Sequence, residues 1–182
     1  MRVVSGSAKG RRLQAPGGLG VRPTGDRVRE AIFDVLGSLG NVADLKVADF
    51  FAGTGALGIE ALSRGAAHAT LVDSDRVAAD TMRVNLVTTG LYARATVVQS
   101  DVMSWLRLNP DASFDVVFAD PPYDFDGWSE LLAGARTGLA ILESDREIEL
   151  GERFEVVKIK RYGGTVVTVA QSKSRTDEKG RA

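Results

Sequence analysis

Apolar residues recur along the chain at two different spacings. Over residues 26–36, Val28, Ala31, Ile32, Val35 and Leu36 follow the i, i+3, i+4, i+7, i+8 rhythm of a helix with one buried face. Asp26 stands where an N-cap belongs, and Gly37 and Gly40 close the segment. Arg27, Arg29 and Glu30 are then expected on the other faces. From Leu45 the pattern changes to short apolar runs alternating with helical stretches. Strands are predicted over residues 46–51, 69–72, 95–99, 114–119 and 139–143. Helices are predicted over 56–64, 76–86, 102–108 and 128–135.

Alternation of this length implies an α/β fold with a doubly wound, mostly parallel sheet. The end of the chain departs from it. Strands over 154–159 and 166–169, joined through Arg161-Tyr162-Gly163-Gly164, read as an antiparallel hairpin at the sheet edge. Residues 1–24 are rich in Gly, Arg and Pro, with a short apolar start at Val3 and Val4, and read as a strand or extended arm plus loops. The expected organisation is a basic N-terminal extension with its helix (1–40), a core (41–172), and a charged tail (173–182) that frays.

Composition narrows the chemistry. The 182 residues are 44% hydrophobic and 26% charged, ordinary for one globular domain. There is no cysteine and His68 is the only histidine. A zinc site of the usual His/Cys type is excluded, no metal is expected, and a Ser-His-Asp triad would have to use His68. No apolar run is long enough to span a membrane, and no signal-peptide core opens the chain. A cytoplasmic monomer is the expectation.

Net charge is −1, but its distribution is uneven. Residues 1–30 carry seven basic side chains (Arg2, Lys9, Arg11, Arg12, Arg22, Arg27, Arg29) against Asp26 and Glu30, so this segment is +5 and the remainder −6. A basic arm on an acidic body suggests contact with nucleic-acid phosphates; a merely solvated terminal segment is the alternative.

Two local motifs carry chemistry. The first is Asp49-Phe50-Phe51-Ala52-Gly53-Thr54-Gly55-Ala56-Leu57-Gly58, between a strand and a helix. Its glycines allow a tight turn and close approach of a ligand to a helix N-terminus. The G-x-G-x-x-G spacing fits a dinucleotide as well as S-adenosylmethionine, and Asp49 separates the two. Its carboxylate would repel a pyrophosphate, but it favours the ammonium of a methionine moiety or a sulfonium. Asp73 is placed for the ribose hydroxyls, with Ser74 beside it, and Ser100-Asp101-Val102 for the adenine. The expected cofactor contacts are thus Asp49, Phe51, Ala52, Gly53, Thr54, Gly55, Asp73, Ser74, Asp101, Val102 and Asp120. A capping role is the competing reading for Asp49, Asp73 and Asp101, and Asp75 reads as a helix cap.

The second motif is Asp120-Pro121-Pro122-Tyr123, at the C-terminal end of the strand through Val116-Val117-Phe118-Ala119. An exocyclic amine of a base is a poor nucleophile because its lone pair is delocalised into the ring. A carboxylate and a backbone carbonyl accepting both N–H groups would localise that pair. Asp120 supplies the carboxylate. Pro121 and Pro122 fix the backbone without adding N–H donors. Tyr123 offers a ring on which an extruded base can stack.

These motifs and the N-terminal segment carry a resemblance. Arg2-Val3-Val4-Ser5-Gly6, Gly10-Arg11-Arg12-Leu13, Arg22-Pro23-Thr24, Asp26-Arg27-Val28-Arg29-Glu30-Ala31, the glycine loop and its helix through Ala66, Asp120 to Tyr123, and Arg161-Tyr162-Gly163 are similar to one family. Over nearly its full length the chain resembles the ribosomal small-subunit RNA guanine-N2 methyltransferases, the RsmD-like family. The resemblance implies a class I, S-adenosylmethionine-dependent methyltransferase fold. It also implies methylation of a guanine N2 in 16S rRNA, within the small ribosomal subunit. Arg11, Arg12, Arg22, Thr24, Arg27, Arg29 and Tyr123 are the expected RNA contacts. Asp73 departs from the family pattern where Glu is expected, Thr54 where Ser is common, and Gly25 where a second Thr is common.

The tetrapeptide alone also serves an amino-methyltransferase acting on adenine N6 or cytosine N4. The glycines alone also serve a nicotinamide-dependent oxidoreductase, and the basic arm alone a non-enzymatic RNA-binding protein. His68 reads as an ordinary loop residue. Trp105 and Trp128 read as packing residues, with a place in the RNA groove as the second reading for Trp128.

Overall fold

The computed structural model describes residues 1–15 and 25–173. Expectations for Arg22, Thr24 and the fraying tail lie outside the described residues.

The order of elements is α1 (Asp26–Leu39), β1 (Lys46–Phe50), α2 (Ala56–Ser63), β2 (His68–Asp73), α3 (Arg76–Thr89), a 3-10 turn (Tyr92–Arg94), β3 (Ala95–Gln99), α4 (Val102–Leu108), β4 (Ser113–Ala119), α5 (Trp128–Gly134), β5 (Arg136–Ser144), β6 (Phe154–Tyr162) and β7 (Thr165–Ser172). Among the described residues the strands form one seven-stranded sheet in the order β3-β2-β1-β4-β5-β7-β6. β1 to β5 are parallel, and β7 runs antiparallel to both β5 and β6. This is the doubly wound class I methyltransferase architecture with an antiparallel C-terminal hairpin.

Each face of the sheet carries its own core. Side chains of α1, α2 and α3, among them Ile32, Leu62 and Met82, pack on one face with Val47, Phe118 and Ile141. Leu106 of α4 and Trp128 and Leu131 of α5 pack on the other, with Phe50, Val117 and Leu142. Burial on both sides explains why β1 and β4 read as near-continuous apolar runs. The strand order reverses direction between β1 and β4, and the crevice beyond their C-terminal ends is where such sheets bind ligands.

The N-terminal arm is packed into this body. Val3, Ala8 and Leu13 belong to the core shared with α1 to α3. Its extended start makes a single antiparallel bridge, Arg2 to Arg12, rather than a strand. The Val4 and Ser5 amides donate to the Glu60 carboxylate at 2.7 and 2.9 Å. Asn85, buried in α3, accepts from the Gln14 amide at 2.8 Å and donates to Thr54 O at 3.0 Å.

Several expectations need correction. Gly25, not Asp26, caps α1; Gly37 lies inside the helix and Gly40 ends it. The buried face of α1 comprises Arg29, Ile32, Phe33, Val35 and Leu36, so Arg29 points inward. β5 begins at Arg136, where polar Arg136 and Thr137 pair with Ser113 and Phe114 and conceal the strand in an apolarity pattern. β6 and β7 run longer than predicted because Lys160, Arg161 and Tyr162 continue the ladder. His68 opens β2 and shares a hydrogen bond with Thr96 Oγ1 at 3.0 Å. Among the described residues no helix is long and apolar enough to cross a membrane.

Candidate active site

A cavity of about 600 Å³ opens at the switch point. Its wall follows the strand order. Asp73 ends β2, Asp49 lies near the end of β1, Asp120 follows β4, Glu143 lies near the end of β5, and Thr165 opens β7; all five line the cavity.

The glycine loop builds one end. Phe51, Ala52, Gly53 and Thr54 line the cavity, and Gly55 caps α2 in the left-handed region at φ 74°. The Gly53 amide donates to Asp73 Oδ2 at 2.7 Å, folding the loop against β2. Asp73 Oδ1 accepts from the Asp75 amide at 2.9 Å, and Asp75 caps α3, as expected for it, by accepting from Val77. Ser74 also lines the cavity.

Asp49 both caps and faces the cavity. It is 2% exposed, and its Oδ2 accepts from the Gly58 amide of α2 at 2.8 Å. Burial pushes its carboxyl up to about 8; the Gly58 hydrogen bond opposes this, and the charges of Asp120 and Asp73 add to it. A cation at this place relieves both the burial and the repulsion. The cavity is acidic along its whole back wall. S-adenosylmethionine, with an ammonium and a sulfonium, therefore fits it electrostatically, and a pyrophosphate does not. Asp49 would hold the ammonium, Asp73 the ribose, and residues 51–54 the methionine backbone.

Asp101 and Val102, expected at the adenine, are not among the residues that line this cavity. Asp101 caps α4, accepting from the Ser104 amide at 2.8 Å. That bond holds its carboxyl below the usual carboxylate range. Val102 is buried in the core of the opposite face. Asp101 therefore caps α4, as its competing reading had it.

The tetrapeptide forms the other lip. Asp120, Pro121, Pro122 and Tyr123 all line the cavity, and Tyr123 is 44% exposed at its mouth. A turn follows, closed by the Phe125 amide donating to Pro122 O at 2.9 Å. Arg146 fastens this segment, donating from Nη1 to Tyr123 O at 2.6 Å and from Nη2 to Phe125 O at 3.0 Å. The Phe125 ring packs edge-on against Phe51 at 5.2 Å and against Trp128 at 5.1 Å. Phe51 holds φ 58°, a left-handed backbone that costs energy for a side chain of this size. Trp128 is 5% exposed and belongs to the core, so it does not line a groove. Trp105 packs among Phe50 and Phe114.

The basic residues divide. Arg11, Arg12 and Arg27 are exposed, with Arg11 Nη1 donating to Thr88 O at 3.1 Å. Arg29 is 0% exposed. It bonds Asp26, the Arg2 carbonyl and Met1 Sδ, and lies 3.7 Å from Glu60. A side chain so enclosed cannot reach RNA; it ties the arm to α1 and α2.

Sequence reasoning missed Glu143, Thr165, Gly25 and Val28, which also line the cavity. Glu143 is 3% exposed, a carboxylate directly after the apolar run Leu139-Ala140-Ile141-Leu142. That anomaly was the available signal.

Comparison with known proteins agrees with this geometry. The family model of conserved hypothetical protein 95 matches residues 1–171. YlbH of Bacillus subtilis is 39% identical over 181 residues, covering 93% of this chain and 97% of that protein. Ribosomal RNA small subunit methyltransferase D of Escherichia coli K12 is 43% identical over 123 residues, which span 68% of this chain and 60% of that protein. The solved structure of yhhF from Escherichia coli superposes with a TM-score of 0.84 at 34% identity, covering 96% of this chain and 99% of that one. On that match and those identities, the chain belongs to the conserved hypothetical protein 95 family, the RsmD-like family that its motifs resemble.

Proposed function

We propose that the protein transfers a methyl group from S-adenosylmethionine to the exocyclic N2 of a guanine in small-subunit ribosomal RNA. The observation that carries this reading is Asp120-Pro121-Pro122-Tyr123 at the lip of a cavity whose other end is an acidic glycine loop. The relative named ribosomal RNA small subunit methyltransferase D supports the substrate class.

When bound, S-adenosylmethionine supplies a methyl group on a sulfonium sulfur, which keeps the electron pair of the broken bond. The chain's own residues prepare the nucleophile. Asp120 accepts one N–H of the amine, localises the lone pair and takes the proton that the nitrogen sheds. The rigid Pro121-Pro122 backbone holds carbonyl acceptors in place. Tyr123 stacks on the base, contributing about 1–3 kcal/mol. Asp49 and Asp73 orient the donor, so that positioning supplies most of the rate. Arg11, Arg12 and Arg27, exposed on the arm and α1, contact RNA phosphates.

The test uses small subunits lacking the modification, the protein, and labelled S-adenosylmethionine. The product is mapped by nuclease digestion and mass spectrometry, and N2-methylguanosine at one site is the expected product. Methyladenosine, methylcytidine or no product would overturn the reading.

A further inference from the structure

Glu143 is a buried acidic side chain on the acceptor side of the cavity. β4 and β5 are parallel with Ala119 opposite Leu142, so the next residues, Asp120 and Glu143, come side by side at the lip. Phe118 and Ile141 are likewise opposite each other and point into the layer of α1 to α3. Strand alternation returns to that face two residues later, at Asp120 and Glu143. Asp49, opposite Phe118 on β1, shares it too.

The strand order then sorts the cavity. Asp73 and Asp49 lie over β2 and β1, where the donor is held. Asp120, Glu143 and Thr165 lie over β4, β5 and β7, where the base must enter. Neighbouring strands are about 4.8 Å apart, so two carboxylates there match adjacent groups on the edge of one base.

Guanine is the base whose exocyclic amine is flanked by a ring N–H. It presents two donors, N1–H and N2–H, side by side. Adenine and cytosine present a ring acceptor beside their amine, and a buried carboxylate facing that lone pair is repelled. We infer that Glu143 selects guanine by accepting its N1–H while Asp120 accepts its N2–H. The inference rests on the proposed methylation of N2 and names the residue that makes guanine, rather than another base, the substrate of the same cavity.

The test compares two substrates that share the N2 amine and differ at N1 and at C6. Small subunits are reconstituted with guanine or 2-aminopurine at the mapped position. 2-Aminopurine keeps the N2 amine but offers a bare N1 acceptor and lacks O6; the missing O6 is common to wild type and variants, so the change in ratio between them reads N1. The wild-type protein is expected to favour guanine by at least about thirtyfold in kcat/KM. In E143Q the side-chain amide can donate to that acceptor, so the preference should shrink to about threefold or less. Affinity for S-adenosylhomocysteine and Tm should stay unchanged.

Equal use of both substrates by the wild type would overturn the inference without any variant. So would an E143Q that loses activity on both substrates in the same proportion, as a merely structural role predicts. Glu143→Asp, which keeps an acceptor, provides a second variant: it should retain the guanine preference, and a ratio collapsed to that of E143Q would overturn the idea. A wild-type product other than N2-methylguanosine is a separate failure, that of the underlying reaction, and is read from the product before any ratio is taken.

Discussion

Arg29 and Glu60 face each other in the interior, with Arg29 Nε 3.7 Å from Glu60 Oε2 and side chains 0% and 1% exposed. Glu60 also receives the Val4 and Ser5 amides and pairs with Arg64 at 2.8 Å. Removing Glu60 leaves the buried Arg29 with only the half-exposed Asp26 carboxylate and strips two amides of their acceptor, at a cost of about 3–5 kcal/mol. Glu60→Ala should lower Tm by about 2–4 °C for each kcal/mol in a chain of this size. Thermal or urea unfolding measures this, and a change under about 1 kcal/mol would contradict the argument.

Asp49 makes both stability and cofactor affinity depend on pH. Its carboxyl titrates near 8 in the folded protein, against an ordinary value of 3.8. Between those values the folded chain holds a proton that the unfolded chain has released. Stability of the ligand-free protein should therefore be greatest at the acidic end of that window and fall as pH rises to about 8. Cofactor binding should behave oppositely, because the ammonium pairs with the ionised carboxylate. Affinity for S-adenosylhomocysteine should rise about tenfold per pH unit below 8. Calorimetry in buffers of different ionisation heat would register the released proton. Asp49→Asn should flatten both profiles.

Gly6 sets how the arm docks. Its φ is +81°, and a Cβ built there would lie 1.9 Å from the Ser63 carbonyl oxygen. That carbonyl accepts from the Ser7 amide at 2.8 Å, and Ser63 Oγ accepts from the Ala8 amide at 2.9 Å. Gly6→Ala must therefore strain the backbone or lift the arm from α2. We expect a loss of about 2 kcal/mol or more, together with faster proteolysis within residues 1–15. Gly10→Ala provides the contrast: its φ of +82° carries the strain, but no atom lies within 4 Å of its Cβ.

Asp120 and Tyr123 should separate chemistry from binding. Asp120→Asn is expected to lower kcat by about 10²-fold or more while S-adenosylhomocysteine still binds. Tyr123→Phe keeps the ring and should retain most activity. Tyr123→Ala should lose roughly 5- to 150-fold in kcat/KM, the equivalent of one stacked base. Equal activity in the Phe and Ala variants would remove the stacking role.

Arg11, Arg12 and Arg27 should show their charge through salt. Each phosphate contact contributes about 0.7 to 0.9 to the slope of log affinity against log salt. Arg→Ala at these positions should make the salt dependence of RNA binding shallower by about that much per residue. Arg29→Ala should instead register as lost stability, since that side chain is enclosed.

The parts of this fold that were readable from sequence are those where local chemistry decides. β1, β3 and β4 are short apolar runs, and both the glycine loop and residues 120–123 are contiguous strings whose residue types announce their task. Arg29 could not be read that way. A charge at a helical core position looks like a register error until its partner Glu60, on another helix, is known. The capping role of Asp101 is the opposite case, since its donor, Ser104, lies one turn along its own helix. Glu143 stands out in the sequence only as a charge after an apolar run; its place beside residue 120 comes from the register of β4 on β5, which no local pattern carries.

The edge-on contact of Phe51 with Phe125 bears on any attempt to retarget the protein. One ring belongs to the glycine loop, the other to the segment after the tetrapeptide, and Phe51 keeps its costly backbone angle within that packing. Changes meant only to reshape the base-binding lip will therefore be transmitted to donor affinity. A library built to alter the acceptor should vary residues 51 and 122–128 together, and screen donor retention alongside the new activity.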